Sequence, residues 1–199
     1  MRCPDNIRLI GDVTEPVTLA EAKLHLRLIT DITDATPHPD DPEVTRAIAG
    51  ARSMAEEYCE RPIAAGMYEL RRSYFPGPIV WAPVQALTSV KYTDDQGAPQ
   101  DVADTVYELA GTQREPLVRL KYGQVWPTAL ARQSDAVQIR FTAGYGGEQK
   151  LPASMFSALL LTIGHLYENR EAIVMGTTAT EIPLGALHLL DPFRLRMGL

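Results

Sequence analysis

Apolar residues recur at helical spacing in two stretches near the start of the chain and again near its end. Between them the spacing shortens to that of strands. Within 18–28, Leu19, Ala22, Leu24, Leu26 and Leu28 are apolar, so one side of a short helix can be buried. Thr18 and Glu21 fit a capping box, each side chain satisfying the other residue's free backbone N–H. Residues 30–41 hold acids, threonines and two prolines, which predicts a loop. A second helix is predicted over 42–60, where Val44, Ile48, Ala51, Ala55 and Tyr58 recur at steps of three and four. Asp41 suits its N-cap and Pro42 its first residue. Arg61-Pro62 ends it, because proline disfavours helical geometry in the residue before it.

The middle changes character. Segments 67–75, 78–83, 86–94, 105–109, 116–121 and 136–144 are short, and several are β-branched and aromatic. Turn signals separate them at Pro76-Gly77-Pro78, Asp94-Asp95-Gln96-Gly97 and Gly111-Thr112, which predicts antiparallel strands rather than βαβ units. After Gly144-Tyr145-Gly146-Gly147 a third helix is predicted from Ala153 to Asn169, apolar on nearly all sides. Such a helix sits centrally in its own domain or packs against neighbours in an oligomer. Residues 1–17 read as extended and irregular, residues 171–183 as weakly structured, and a last short helix is predicted over 184–190.

The order helix, helix, strands, helix, tail implies an α+β fold. Residues 1–62 form the N-terminal helical part of the core. Residues 63–150 form an inserted antiparallel β-module. Residues 151–199 supply a long apolar core helix and an extended tail.

Charge narrows the function. The chain has 199 residues and a formal net charge of −6. Residues 1–62 carry 7 basic and 12 acidic groups, residues 63–150 carry 9 of each, and 151–199 carry 3 and 4. No segment is basic, which argues against a nucleic-acid-binding regulator. Cys3 and Cys59 form no CxxC pair or metal-spaced cluster. No apolar h-region opens the chain and no apolar run is long enough to span a bilayer.

Catalytic constellations are sparse. Gly144-x-Gly146-Gly147 lies between strand and helix but lacks the spacing of a phosphate loop, and reads as a flexible elbow. His165-x-x-Glu168 places two polar groups on one helical turn, in a single copy and in the reverse of the order that di-metal carboxylate helices use. An enzyme or metal-binding protein built on His165, Glu168 and Cys59 is the alternative reading. No metal or cofactor is expected.

Four passages then follow one another along the chain. They are Glu15-Pro16-Val17-Thr18-Leu19-Ala20-Glu21-Ala22-Lys23 with Leu26; Glu57-Tyr58-Cys59-Glu60-Arg61-Pro62-Ile63; Arg140-Phe141-Thr142-Ala143-Gly144-Tyr145-Gly146 with Pro152 and His165 to Glu171; and Ile182-Pro183-Leu184-Gly185-Ala186 through Leu189-Leu190 to Pro192-Phe193-Arg194. In this order they resemble the head–tail connector (adaptor) proteins of long-tailed phages, and the similar adaptor of gene transfer agents. The resemblance spans nearly the whole chain. It implies a non-enzymatic subunit of a twelve-fold homo-oligomeric ring beneath the capsid portal, extending the DNA channel, with a stopper or tail-completion protein below. DNA passes without sequence-specific binding. The implied location is a virion or phage-like particle at the head–tail interface, assembled in the host cytoplasm. The C-terminal segment is implied to reach the portal protein, so Leu189, Leu190, Phe193, Arg194, Leu195 and Arg196 are the portal-binding candidates. Deleting 189–199 is expected to remove portal attachment and leave the fold intact.

Ring contacts are heterologous, so each subunit needs two complementary surfaces. The third helix supplies one set of inter-subunit candidates, Phe156, Leu160, His165, Tyr167 and Arg170. The face carrying Val44 and Ile48 supplies another.

Overall fold

The computed structural model describes residues 7–75, 77, 83–112, 116–131, 134–146, 150–169 and 183–194. The fold is α+β with antiparallel strands. The chain divides into two compact units, Met1–Thr14 with Ala64–Gln149, and Glu15–Ile63 with Lys150–Leu199. Among the described residues no helix is long and apolar enough to cross a membrane.

The first unit is built from strands. These are β1 (Ile7–Thr14), β2 (Ala65–Arg72), β3 (Val84–Thr93), β4 (Pro99–Val102), β5 (Tyr107–Gly111), β6 (Pro116–Leu120) and β7 (Val137–Ala143). Five form a sheet in the order β1-β2-β7-β3-β4, and β5 pairs with β6 separately. Alternation sorts the sheet's side chains by face. Ile7, Tyr68, Leu70, Val90, Ile139 and Phe141 are buried on one face. On the other, Arg8 lies opposite Glu69, Glu69 opposite Arg140, and Arg140 opposite Ser89. Beside them Arg71 pairs in register with Gln138, Gln138 with Lys91, and Lys91 with Asp101.

Two strands differ from the sequence expectation. Residues 7–14, read as extended but irregular and not as a paired strand, form β1, whose pairing with β2 shifts register between Leu9 and Val13 around Gly11. β4 has no apolar alternation to announce it. It follows the foreseen turn, where Asp94 Oδ1 accepts from the N–H groups of Gln96 and Ala98. Most of the expected strand at 78–83 lies outside the described residues. An aromatic cluster sits beside the sheet: Phe75 stacks on Trp126 at 4.9 Å and meets Tyr92 edge-on at 5.6 Å.

The sheet ends in a fixed bend. Gly144 has φ +96, and a Cβ there would lie 2.0 Å from the carbonyl oxygen of Ala64. Only glycine permits this approach. Gly144 donates to Pro83 O at 3.0 Å, and Gln85 Nε2 donates to Gly144 O at 2.9 Å. Residues 144–146 are tied by hydrogen bonds to Pro83 and Gln85, while Gly147 of the expected elbow lies outside the described residues.

The second unit is helical: α1 (Leu19–His25), α2 (Asp41–Cys59), α3 (Ala153–Glu168) and α4 (Leu184–Leu190), closed by a 3-10 turn at Asp191–Phe193. The α1 capping box is present in full, with Glu21 N donating to Thr18 Oγ1 and Thr18 N to Glu21 Oε2. α2 stops at Glu60, which takes a left-handed φ of 55. Arg52 fixes the start and end of the α1–α2 segment. Its Nε lies 3.0 Å from Glu15 Oε2 and its Nη1 2.8 Å from Glu56 Oε2, while Glu56 Oε1 accepts from Ile63 N.

The helical core departs from the expected arrangement. Its longest helix is α2, with 19 residues against 16 in α3. α3 buries one stripe, Met155, Ala158, Leu159, Thr162 and Ile163, the ordinary spacing of a helix with a single buried face. α3 packs closely on α2 at Gly50, where a Cβ would stand 3.2 Å from Leu166 Cδ1. α4 also joins the core through Ala186 and Leu190.

Candidate functional site

The last turn of α2 and the end of α4 build one candidate surface. Tyr58 donates from its hydroxyl to Asp191 Oδ1 at 3.3 Å. The Arg194 guanidinium carbon stands 5.3 Å from the centre of the Tyr58 ring, within cation–π range. One residue on, the Cys59 sulfhydryl faces Leu190 O at 3.9 Å. Burial pushes the Cys59 thiol up to about 11, so it is protonated at neutral pH and a poor nucleophile.

The portal-binding candidates divide along this surface. Arg194 is exposed, and Leu189 and Phe193 are half-buried. Leu190 is 1% exposed and part of the core. It holds α4 in place and has no surface to offer, so losing 189–199 takes a core side chain with it. Leu195 and Arg196 lie outside the described residues.

The acidic segment at 30–41 is anchored to the helices. The buried Lys23 ammonium donates to Thr36 O at 3.0 Å and pairs with Asp41 Oδ1 at 3.0 Å. Asp41 Oδ2 accepts from His38 N at 2.9 Å. These bonds, the His38 N–H first and Lys23 second, hold the Asp41 carboxyl below its ordinary range. Asp41 is thus tied to Lys23 and His38 instead of capping α2, whose N-cap is Asp40. The Tyr167 hydroxyl on α3 donates to Asp40 Oδ2. Asp31 and Asp34 stay exposed and close small turns on themselves, Asp31 Oδ1 with Thr33 N and Asp34 Oδ1 with Thr36 N.

The inter-subunit candidates separate in the same way. Val44 and Ile48 are 0% and 5% exposed. They fill the interior of the helical unit because α2 packs on α1, α3 and α4, which corrects their expected role as an outward face. Phe156, Leu160, His165 and Tyr167 are half-buried on α3. Arg170 lies outside the described residues. His165 Nδ1 is 3.2 Å from Asn169 Nδ2, and Glu168 is exposed. Among the described residues no group of three or more His, Cys, Asp or Glu side chains is placed to hold a metal.

The sheet unit carries a cluster that the sequence reading passed over. Glu69 is 0% exposed. Arg8 Nη2 and Arg71 Nε reach its Oε1 at 2.7 and 2.8 Å, and Arg140 Nε reaches its Oε2 at 3.0 Å. Burial alone would raise the Glu69 carboxyl, but the guanidiniums, Arg71 foremost, outweigh it and hold the group below its ordinary value. The three arginines come from three neighbouring strands or the next same-face position. Alternation within each strand was the available signal, but only strand order brings the four together.

No family model matches the chain, and no curated protein matches it. Solved structures do. A chain from the neck of an empty gene transfer agent (GTA) particle, computed with C6 symmetry, shares the fold at TM-score 0.74 and 22% identity, over 97% of each chain. A chain from the virion of a native GTA particle matches at TM-score 0.73 and 22% identity, over 98% of this chain and 97% of the other. A chain from the neck of a native GTA particle, computed with C12 symmetry, matches at TM-score 0.62 and 20% identity, over 95% and 98%. At these identities the likeness is one of fold, carried from end to end of both chains.

Proposed function

We propose that this chain is a head–tail connector (adaptor) subunit of a tailed phage or gene transfer agent, and that it acts structurally. Copies form a ring beneath the portal, extend the DNA channel, and present a surface to a stopper or tail-completion protein. The observation that carries this reading is the end-to-end fold shared with chains of GTA necks. The four ordered sequence passages support it independently of the fold.

The half-buried α3 residues Phe156, Leu160, His165 and Tyr167 are the better candidates for ring contacts, since Val44 and Ile48 are spent inside the unit. Portal contact falls to Leu189, Phe193 and Arg194, of which Arg194 stands over the Tyr58 ring. The net charge of −6 suits a channel wall from which phosphates are repelled.

The test is reconstitution. The chain and the portal protein from the same gene neighbourhood are expressed together, and their complex is examined by electron microscopy and native mass measurement. A closed ring of this chain on the portal is the expected result. A stable portal that never retains the chain, at any ionic strength tried, counts against the reading.

A further inference from the structure

We propose that the polar face of the five-stranded sheet is a subunit-contact surface, occupied by the acidic Asp31–Asp34 surface of a second copy of this chain. This rests on the ring reading above and names one contact within it.

The face is built to hold cations outward. Among the residues paired in register, Arg8, Arg71, Arg140 and Lys91 share it with the carboxylates Glu69 and Asp101. The side chains of Arg8, Lys91 and Arg140 are 60%, 41% and 40% exposed. Glu69 lies beneath them, fully buried, and fixes three guanidiniums at once. Each reaches Glu69 through one nitrogen, while a guanidinium has five donors in a rigid fork. The remaining donors are pre-oriented, so a partner carboxylate orders little that is not already ordered.

The chain itself supplies the complement. The helical unit carries 14 acidic and 9 basic residues, against 11 and 10 in the sheet unit. Asp31 and Asp34 are exposed, and the turns at Thr33 and Thr36 fix their positions. Those same bonds hold both carboxyls below their ordinary range, so they stay charged. A basic face on one unit and an acidic surface on the other give two different surfaces per subunit. That is the requirement for a head-to-tail ring. A polyanion such as duplex DNA is the weaker occupant, because the sheet unit as a whole is not basic.

The test uses the full chain assembled with its portal. Lys91→Glu and the pair Asp31→Lys, Asp34→Lys are made separately and together, and folding is checked by thermal unfolding. Each reversal alone is expected to raise the chain concentration needed for ring closure about tenfold, and the combination to recover most of it. A carbodiimide cross-link from Lys91 of one isotopically labelled copy to Asp31 or Asp34 of an unlabelled copy is the direct readout. Wild-type rings that close, show no such cross-link and ignore both reversals overturn this contact and leave the ring reading standing. Failure of the wild-type chain to form any ring removes the ring reading and the contact together. Intact rings in which Lys91→Glu only weakens retention of duplex DNA assign the face to DNA and overturn the proposal.

Discussion

The Lys23 ammonium lies 3.0 Å from Asp41 Oδ1 and donates to Thr36 O at the same distance. A residue of α1 thereby ties down a loop that begins after it and the helix that follows the loop. Lys23→Met keeps the buried stem and removes all of this, because the donors sit on the ammonium alone. Amide hydrogen exchange over 33–38 is expected to rise by at least tenfold, with α2 beyond its first turn little changed. Unaltered exchange across the loop argues that other bonds hold it.

Glu69 sets an acid limit on the sheet unit. Its folded value lies below the ordinary 4.5, so its contribution is present above that value and is lost as pH falls through the depressed one. Glu69→Gln removes a buried charge from three cations and is expected to cost about 3 kcal/mol at neutral pH. The variant's stability is then expected to vary less between pH 5 and 3 than the parent's. Urea unfolding at several pH values reads both effects.

Gly144→Ala places a methyl group on the carbonyl of Ala64 and strains a backbone at φ +96. Both effects act on one peptide, and the bend cannot open without breaking the bond to Pro83 O. The expected cost is about 3 kcal/mol or more. A shift in the denaturation midpoint below about 1 kcal/mol equivalent shows that the bend relaxes.

Cys59 is expected to be inert in the folded chain. Burial raises its thiol to about 11, so little thiolate exists at pH 8. In a Cys3→Ser background, a disulfide reagent is expected to label Cys59 only at the rate of unfolding, and at once in denaturant. Fast native labelling places the thiol at the surface.

Truncation distinguishes docking from folding at the C-terminus. Deleting 189–199 removes Leu190, a core side chain, at an expected cost of about 2–4 kcal/mol. Arg194→Ala removes only an exposed guanidinium from Tyr58, and is expected to cost under about 1 kcal/mol. If Arg194→Ala folds normally yet holds the portal tenfold less tightly, the docking role of this end is separated from its packing role.

Helix α4 and the capping box of α1 were legible because each depends on residues within one turn of one another. The turn at Asp94–Gly97 was legible for the same reason. β1 was not, since Gly11 interrupts its alternation and its partner β2 lies some fifty residues on. The roles of Val44 and Ile48 were misread because periodicity shows that a face is apolar without naming what covers it. The α3 stripe was obscured differently: Leu160 and Leu161 are as apolar as Leu159, and only packing shows which of the three is fully enclosed. Glu69 and its arginines stayed hidden because Arg8 and Arg140 reach it across strand pairs that no local pattern specifies.

The chain passes between the two units three times, after Thr14, Ile63 and Gln149. This sets an order of events during synthesis. β1 emerges first and waits for β2, then for β7 to join. The stripe of Val44, Ile48 and Ala51 on α2 emerges early too, but α3 does not follow until the whole sheet unit has been made. An apolar helix pair therefore stands incomplete on the ribosome while a different unit closes behind it, a stage at which exposed apolar surface invites aggregation. The helical unit is completed only when the last quarter of the chain arrives, so interrupted translation yields a finished sheet unit carrying an unfinished helical one.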